Sequence, residues 1–442
     1  MSAERIRHVV VLGGGLAGLA AAWRLAAAGH RVTVAERAAH VGGRAALAEL
    51  DGERVDPTAP RVSARDASLL GLVREAGLAG ELLPLRPWRC AQWDGSRLAT
   101  AAAPGALARP PGVRRLDALR LIRLPRLMRR YRRHLDPARP ERSAPLDDRS
   151  LADFGALYFG RSAVENWIEP WLADSAPVDA SQASRVAFLL RFAAEGEADA
   201  ARLRAPVGRL AEALAARLAV RTGCAAAGLG AAAGGLEVAL DGGALAADAV
   251  VLAVPAAEAV RIGGPVLTSA EQDFLAAARY DSAIAWSGAV RRLPVSEATR
   301  ARVPRGAGSP FSVLALEPAG GSEGERRPPG RITAIAREPW CRAHLDAPDD
   351  ALEKELAAEV ARITPAAADT PGALFRFRSA WPRFDVGRYR ALARFRAVQD
   401  DRRHARRRLY FAGDYLAAPT LEGAVASGLR AAEDALADLR DD

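Results

Sequence analysis

The spacing Gly13-x-Gly15-x-x-Gly18 constrains this chain most, because it stands between a β-branched run, Val9–Leu12, and a helix-forming stretch, Leu16–Ala28. Gly29 follows as a natural helix stop, and Arg31–Ala35 alternates as a second strand. In such a strand–turn–helix–strand unit the first glycine permits the turn and the second lets a pyrophosphate approach the backbone. The third packs helix on strand. The first helical amides, around Leu16 and Ala17, then face the phosphates. Glu36 stands 23 residues after Gly13, at the end of the second strand, followed by Arg37. A carboxylate there binds both ribose hydroxyls and repels a 2′-phosphate, so a dinucleotide other than NADP is expected.

Two further clusters separate FAD from NAD. Gly42-Gly43-Arg44 lies just beyond Glu36; its glycines admit a ligand to the backbone and its guanidinium can pair with pyrophosphate. By itself it also reads as a glycine turn with a solvated arginine. Near the other end, Phe411-Ala412-Gly413-Asp414 is an apolar strand ending in Gly-Asp, followed by a helical stretch, Thr420–Ala432. Asp414 can accept a hydrogen bond from a ribityl hydroxyl, and a helix starting near Leu421 can aim its positive end at the flavin C2 carbonyl. The plainer alternative is a capped core strand with a packed helix. FAD is long enough to need partners at both ends of the chain; NAD is not.

At 442 residues the chain exceeds one ordinary core, and two domains are expected. Residues 1–75, 205–262 and 400–442 read as an α/β, Rossmann-type FAD-binding domain. Residues 76–204, taken as Arg-rich helices broken by prolines, and 263–399, with strands, a Gly320–Gly330 loop and an acidic helix near Asp349–Arg362, read as an inserted α+β substrate-binding domain. The net charge of +9 rests on arginine, since Lys354 is the only lysine. No nucleic-acid signature accompanies it. Cys90, Cys224 and Cys341 form no CxxC pair and the histidines no H-x-x-x-H spacing, so no metal site is expected and a reducing cytoplasm fits. The glycines inside Val9–Trp23 argue against a membrane-inserting or signal helix there.

The motifs VLGGGLAGL, Glu36, VGGRA, FAGDY and LEGAVASG together resemble the flavin-containing amine oxidase superfamily, which includes protoporphyrinogen oxidases, phytoene desaturases, hydroxysqualene dehydroxylases and monoamine oxidases. PVGRLAEALAARL at 206–218 is similar to that family's P-x-G-G segment, with Arg209 in place of the second glycine, and ADAVVLAVPAAEAV at 247–260 to its strand and Val-Pro turn. DFGALYFG at 153–160 looks most like the porphyrinogen-oxidase and squalene/carotenoid branches. The resemblance implies a two-lobed fold and hydride transfer from the substrate to flavin N5. Oxygen or another acceptor then reoxidises the flavin. It also implies that Gly13, Gly15, Gly18, Glu36, Gly43 and Arg44 hold the ADP half and that Val220 lies near adenine. Gly413 and Asp414, with Leu421, Glu422, Gly423 and Ala424, would then hold the flavin end. Two departures bear on the substrate. The lysine many amine oxidases keep near N5 has no counterpart, because Lys354 lies in a charged, surface-like helix. No cysteine follows Cys341, so FAD is expected to be non-covalent. Both move weight from amines towards a bulky, mostly apolar substrate. Trp381 and Tyr415 are the expected aromatic residues of its pocket, although Trp381 beside Pro382 also suits a core position.

Between Val113 and Leu135 lie nine arginines. On a helical wheel Leu116, Leu121, Leu124, Leu127, Met128, Tyr131 and Leu135 share one side, and all the arginines but Arg120 the other. Pro125 should split the stretch into two helices. Two arrangements fit: a core-facing helix with a solvated basic face, or an interfacial helix holding the protein on the inner face of an anionic membrane.

Overall fold

The computed structural model describes residues 6–100, 110–195, 200–232, 234–290, 293–318, 330–367, 372–404 and 407–440. Strands β1 (His8–Leu12) and β2 (Arg31–Ala35) pair in parallel, Val9 opposite Val32 and Leu12 opposite Ala35, with α1 (Leu16–Ala27) crossing between them. Residues 9–12 and 32–35 are buried, as the β-branched composition of a strand covered on both faces requires. The chain then passes through α2 (Ala67–Glu75), β3 (Arg89–Trp93) and β4 (Leu98–Thr100). A helical stretch follows, with α3 (Arg115–Arg120), α4 (Leu124–Tyr131), α5 (Leu151–Tyr158) and α6 (Arg185–Glu195). Pro125 does divide α3 from α4, sitting in the first turn of α4 where its missing N–H costs nothing.

The first lobe resumes with α7 (Gly208–Ala215), β5 (Ala219–Arg221) and β6 (Ala249–Leu252), then α8 (Ala256–Gly263) and α9 (Ser269–Ala276). The second lobe follows as β7 (Tyr280–Val290), β8 (Thr299–Arg302), β9 (Phe311–Glu317), β10 (Gly330–Ala336), α10 (Asp349–Ile363) and β11 (Gly372–Pro382). Most of the expected Gly320–Gly330 loop lies outside the described residues. The chain closes with α11 (Arg388–His404), β12 (Leu409–Phe411) and α12 (Leu421–Arg440). One parallel sheet has the order β12-β6-β1-β2-β5, and a seven-stranded mixed sheet the order β11-β7-β10-β9-β8-β3-β4. The fold is α/β in two lobes.

Pleating sorts the side chains of the parallel sheet. Val10, Leu12, Val250, Leu252 and Phe411 pack on one face, while Val9, Val11 and Val251 meet the alanines of α1 and α12 on the other. Gly428 of α12 approaches α1 so closely that a β-carbon there would collide with the Ala17 carbonyl. In the second lobe Ile284, Trp286, Leu314 and Ile332 pack against Leu352, Leu356 and Val360 of α10.

One sequence expectation changes. Residues 76–204 are not all helical: β3 pairs in parallel with β8, Arg89 opposite Thr299, so its strand character comes from a partner two hundred residues away. Phe274 and Leu275 of α9 and Leu392 and Phe395 of α11 pack with Val10, Leu12 and Phe411 of the parallel sheet. Arginine is also not confined to the surface. Arg61, Arg300 and Arg302 close around the fully buried Asp174, and Arg61 and Arg191 around Glu195. Burial alone would raise the Asp174 carboxyl, but the surrounding guanidiniums hold it well below the usual carboxylate range.

Candidate functional site

At the carboxyl end of β1, the switch point of the parallel sheet, the chain turns at Gly13 with φ of +111°. A β-carbon at Gly13 would strike the Ala253 carbonyl, and one at Gly18 the carbonyl of Gly13. Gly15 differs: a β-carbon there meets nothing within 4 Å. The Gly42 amide donates to the Gly14 carbonyl at 2.8 Å, so a second glycine turn lies against the first. Gly43, with φ of +56°, sits there 3.4 Å from the Gly15 Cα by the same β-carbon measure. The α1 N-terminus has no side-chain cap, and Leu16 and Ala17 begin it. Open space before uncapped amides, walled by two glycine turns, fits a pyrophosphate. Glu36 is fixed beside it: Oε2 accepts from the Gly14 amide at 2.7 Å and Oε1 from Ala38 at 2.8 Å. Val220 lies on the neighbouring edge strand, opposite Val34. Arg37 extends outward, 69% exposed, 4.0 Å from Glu258.

The second half of the site gathers around β12. Gly413 donates its amide to Ser427 Oγ of α12 at 2.9 Å, and a β-carbon on it would strike the Tyr415 ring. Arg44 does not stand free for a pyrophosphate as expected. Its Nη1 and Nη2 clamp the buried Asp414 carboxylate at 2.7 and 2.9 Å, and Nη1 also donates to the Ala380 carbonyl at 2.6 Å. A carboxylate held in this bidentate way is oriented, with lone pairs left for a hydroxyl donor. The Arg44 side chain remains 38% exposed. Tyr280 was not anticipated. Its hydroxyl accepts from the Ala256 amide at the start of α8 (3.1 Å), and burial with the Asp414 charge pushes its phenol well above the ordinary range. No local pattern marks it, because it arrives from the second lobe.

Two other expected residues, Glu422 and Tyr415, are used differently. Glu422 accepts from the Ser68 and Leu69 amides at 3.0 and 2.8 Å and so caps α2. Its side chain is committed to the protein. Leu421 begins α12, where a β-carbon on Gly423 would strike the Ala418 carbonyl and the Ala424 amide bonds to Thr420. Tyr415 is 1% exposed inside the first-lobe core, against expectation, so its ring lines no open pocket. The left-handed turn at Gly413 carries the chain inward there. Trp381 is half-buried on β11, directly after the Ala380 whose carbonyl holds Arg44. The second-lobe edge strand therefore reaches the Gly413–Asp414 turn.

Asp281 is the cross-strand partner of Trp381. Burial pushes its carboxyl up to about 7, against a weak pull from Arg383 at 3.8 Å and with repulsion from Glu338. The folded protein holds this proton more tightly than the unfolded chain does. The stabilisation is therefore complete below the ordinary carboxyl range and is lost as pH rises to and through 7. Between pH 5 and 8 the loss should be about 2 kcal/mol, and Asp281→Asn should flatten that slope in thermal melts. Identical slopes in both proteins would remove this assignment.

Comparison with known proteins agrees with this geometry. The model of the family of flavin containing amine oxidoreductases matches residues 16–436. The chain is 42% identical over 147 residues to a phytoene dehydrogenase of Streptomyces griseus, covering 30% of this chain and 28% of that protein. It is 40% identical over 76 residues to a coproporphyrinogen III oxidase of Propionibacterium freudenreichii subsp. freudenreichii, covering 17% and 14%. The matched stretches thus span less than a third of these curated relatives. A solved putrescine oxidase with putrescine bound superposes with a TM-score of 0.77 over 98% of this chain and 99% of that one, at 20% identity, which is a likeness of fold. The chain belongs to the flavin containing amine oxidoreductase family.

Proposed function

We propose that this protein oxidises a bulky, mostly apolar substrate, in the manner of protoporphyrinogen oxidases. When bound, FAD would supply a two-electron acceptor for a hydride leaving the substrate together with one proton, with oxygen or another acceptor to restore it. The protein's own work is positioning. The turns at Gly13–Gly15 and Gly42–Gly43 and the α1 N-terminus would hold the pyrophosphate, Glu36 the ribose, and Val220 would border adenine. Asp414, oriented by Arg44, would accept from the ribityl chain, and the start of α12 would face the C2 carbonyl. The observation that carries this reading is the Arg44–Asp414 clamp, which joins both cofactor motifs and ties Ala380, beside Trp381, to them. Trp381 would then line the substrate pocket.

A bulky substrate is supported by the matches to phytoene and coproporphyrinogen enzymes, and an apolar one by the phytoene match. The absence of any lysine but the exposed Lys354 on α10 also supports it. A carotenoid or squalene-type enzyme is the nearest alternative, then an amine oxidase; the presence of both Gly42-Gly43-Arg44 and Gly413-Asp414 disfavours a carrier of isoprenoids without catalysis. Among the described residues no helix is long and apolar enough to cross a membrane. A lipid-soluble substrate favours a cytoplasmic protein held peripherally on the membrane's inner face. The test is anaerobic bleaching of the bound flavin by porphyrinogens, polyenes and amines. Bleaching by amines alone would overturn the substrate reading. Acid precipitation of the same preparation should release all the yellow colour, since no cysteine follows Cys341.

A further inference from the structure

Of the apolar side expected for residues 113–135, all but Leu116 packs into the protein, which is the core-facing arrangement. Leu124, Leu127 and Leu135 are buried, and Leu121, Met128 and Tyr131 pack against the same core, formed by Phe154, Phe188 and Trp167. That face is occupied by the protein itself. Leu116, Leu119 and Ile122 instead point to solvent, 73%, 70% and 84% exposed. They are spaced three apart along α3 and the tight 3-10 turn after it, Leu121–Arg123, so they form one line. Arg123 Nη1 donates to the Tyr158 carbonyl at 3.3 Å, which ties the turn that carries Ile122 to the end of α5, where Leu157 is 63% exposed. Of the six large apolar side chains exposed among the described residues, four therefore share one corner.

The charge around this corner is predominantly positive. All nine arginines of residues 113–135 are exposed, and Arg161 joins them. The single acid within that stretch, Asp117, is buried and bound to Ser162, Arg114 and Arg120. Asp153 lies one turn further back on α5. An aliphatic line ringed by arginine complements a surface with anionic headgroups over hydrocarbon.

We propose that Leu116, Leu119, Ile122 and Leu157 are the surface by which this protein docks on an anionic lipid membrane, the four side chains entering the acyl boundary and the arginines lying on the headgroups. The proposal rests on the peripheral location suggested above and names the surface that performs it. An N-terminal position in the helical region leaves both glycine turns and Trp381 on other elements, so docking and chemistry use separate residues.

Flotation with vesicles of phosphatidylcholine, with and without phosphatidylglycerol, tests it. The holoenzyme should float with the anionic vesicles and less so at 1 M salt, where the Debye length is about 3 Å. The exposed double variant Leu119→Ser/Ile122→Ser should lower partitioning at least about tenfold while its flavin spectrum and its thermal melt stay those of the parent. Undiminished flotation of the double variant overturns this surface and leaves peripheral attachment standing. No flotation of the parent protein on either vesicle removes attachment altogether, without touching the flavin assignment. If sedimentation instead finds that the parent self-associates and the double variant does not, the patch joins two copies of this chain and the lipid proposal fails.

Discussion

Gly15→Val should give a folded protein that binds FAD roughly 5- to 150-fold more weakly, the range that overpacking of about 1–3 kcal/mol produces. Gly15 has φ of −75° and ψ of 174°, which any residue adopts, and a β-carbon there touches no protein atom. The substitution therefore costs the apoprotein little. It fills the space before the α1 amides, where the pyrophosphate has to come within hydrogen-bonding distance. Gly13→Ala is the contrasting case, since φ of +111° and the Ala253 carbonyl both oppose it whether or not a ligand is present. Flavin absorbance per chain, read beside thermal melts of the two apoproteins, separates them. Unchanged flavin content in Gly15→Val would mean that the cofactor does not lie across this turn.

Asp414→Ala should lose both cofactor and stability. The carboxylate is 4% exposed and takes two hydrogen bonds from Arg44. Removing it leaves that guanidinium with the Ala380 carbonyl alone. Breaking a fully buried pair costs about 3–5 kcal/mol; with Arg44 38% exposed, solvent screening reduces the expected loss to about 2 kcal/mol. The ribityl partner disappears at the same time, so the purified variant should be nearly colourless. Arg44→Ala should resemble it, and the double variant should cost much less than the sum, since both remove one interaction. Additive losses in denaturant midpoints, or full flavin content in Asp414→Ala, would refute the clamp.

Much of the first lobe could be read from residues close together in the chain. The glycine spacing, the β-branched strand before it and the carboxylate at the end of β2 interact within thirty residues, so their pattern records their geometry. Helix α12 likewise starts at Leu421, where the sequence places its beginning. The reading failed where a residue's use depended on a neighbour distant in sequence. Arg44 is committed to a carboxylate 370 residues away. Glu422 caps a helix at Ser68 and Leu69. Neither side chain carries a local mark of its partner.

The sequence by itself determined the cofactor class, because a dinucleotide site is made of backbone turns and one strand end, and glycine is the residue that those turns require. Tertiary structure alone decided which groups face the flavin end and which face solvent. Trp381 comes near the Asp414 turn because β11 is the edge strand of its sheet and its Ala380 carbonyl holds Arg44, and β7, paired antiparallel to β11, brings Tyr280 to the start of α8. Leu116, Leu119 and Ile122 stay exposed because the core beneath α3 and α4 is already filled by Leu124, Leu127 and the aromatic residues under them. Periodicity records which side chains of a helix are apolar; how wide a strip the rest of the protein covers is set by packing, and packing is a property of the folded chain.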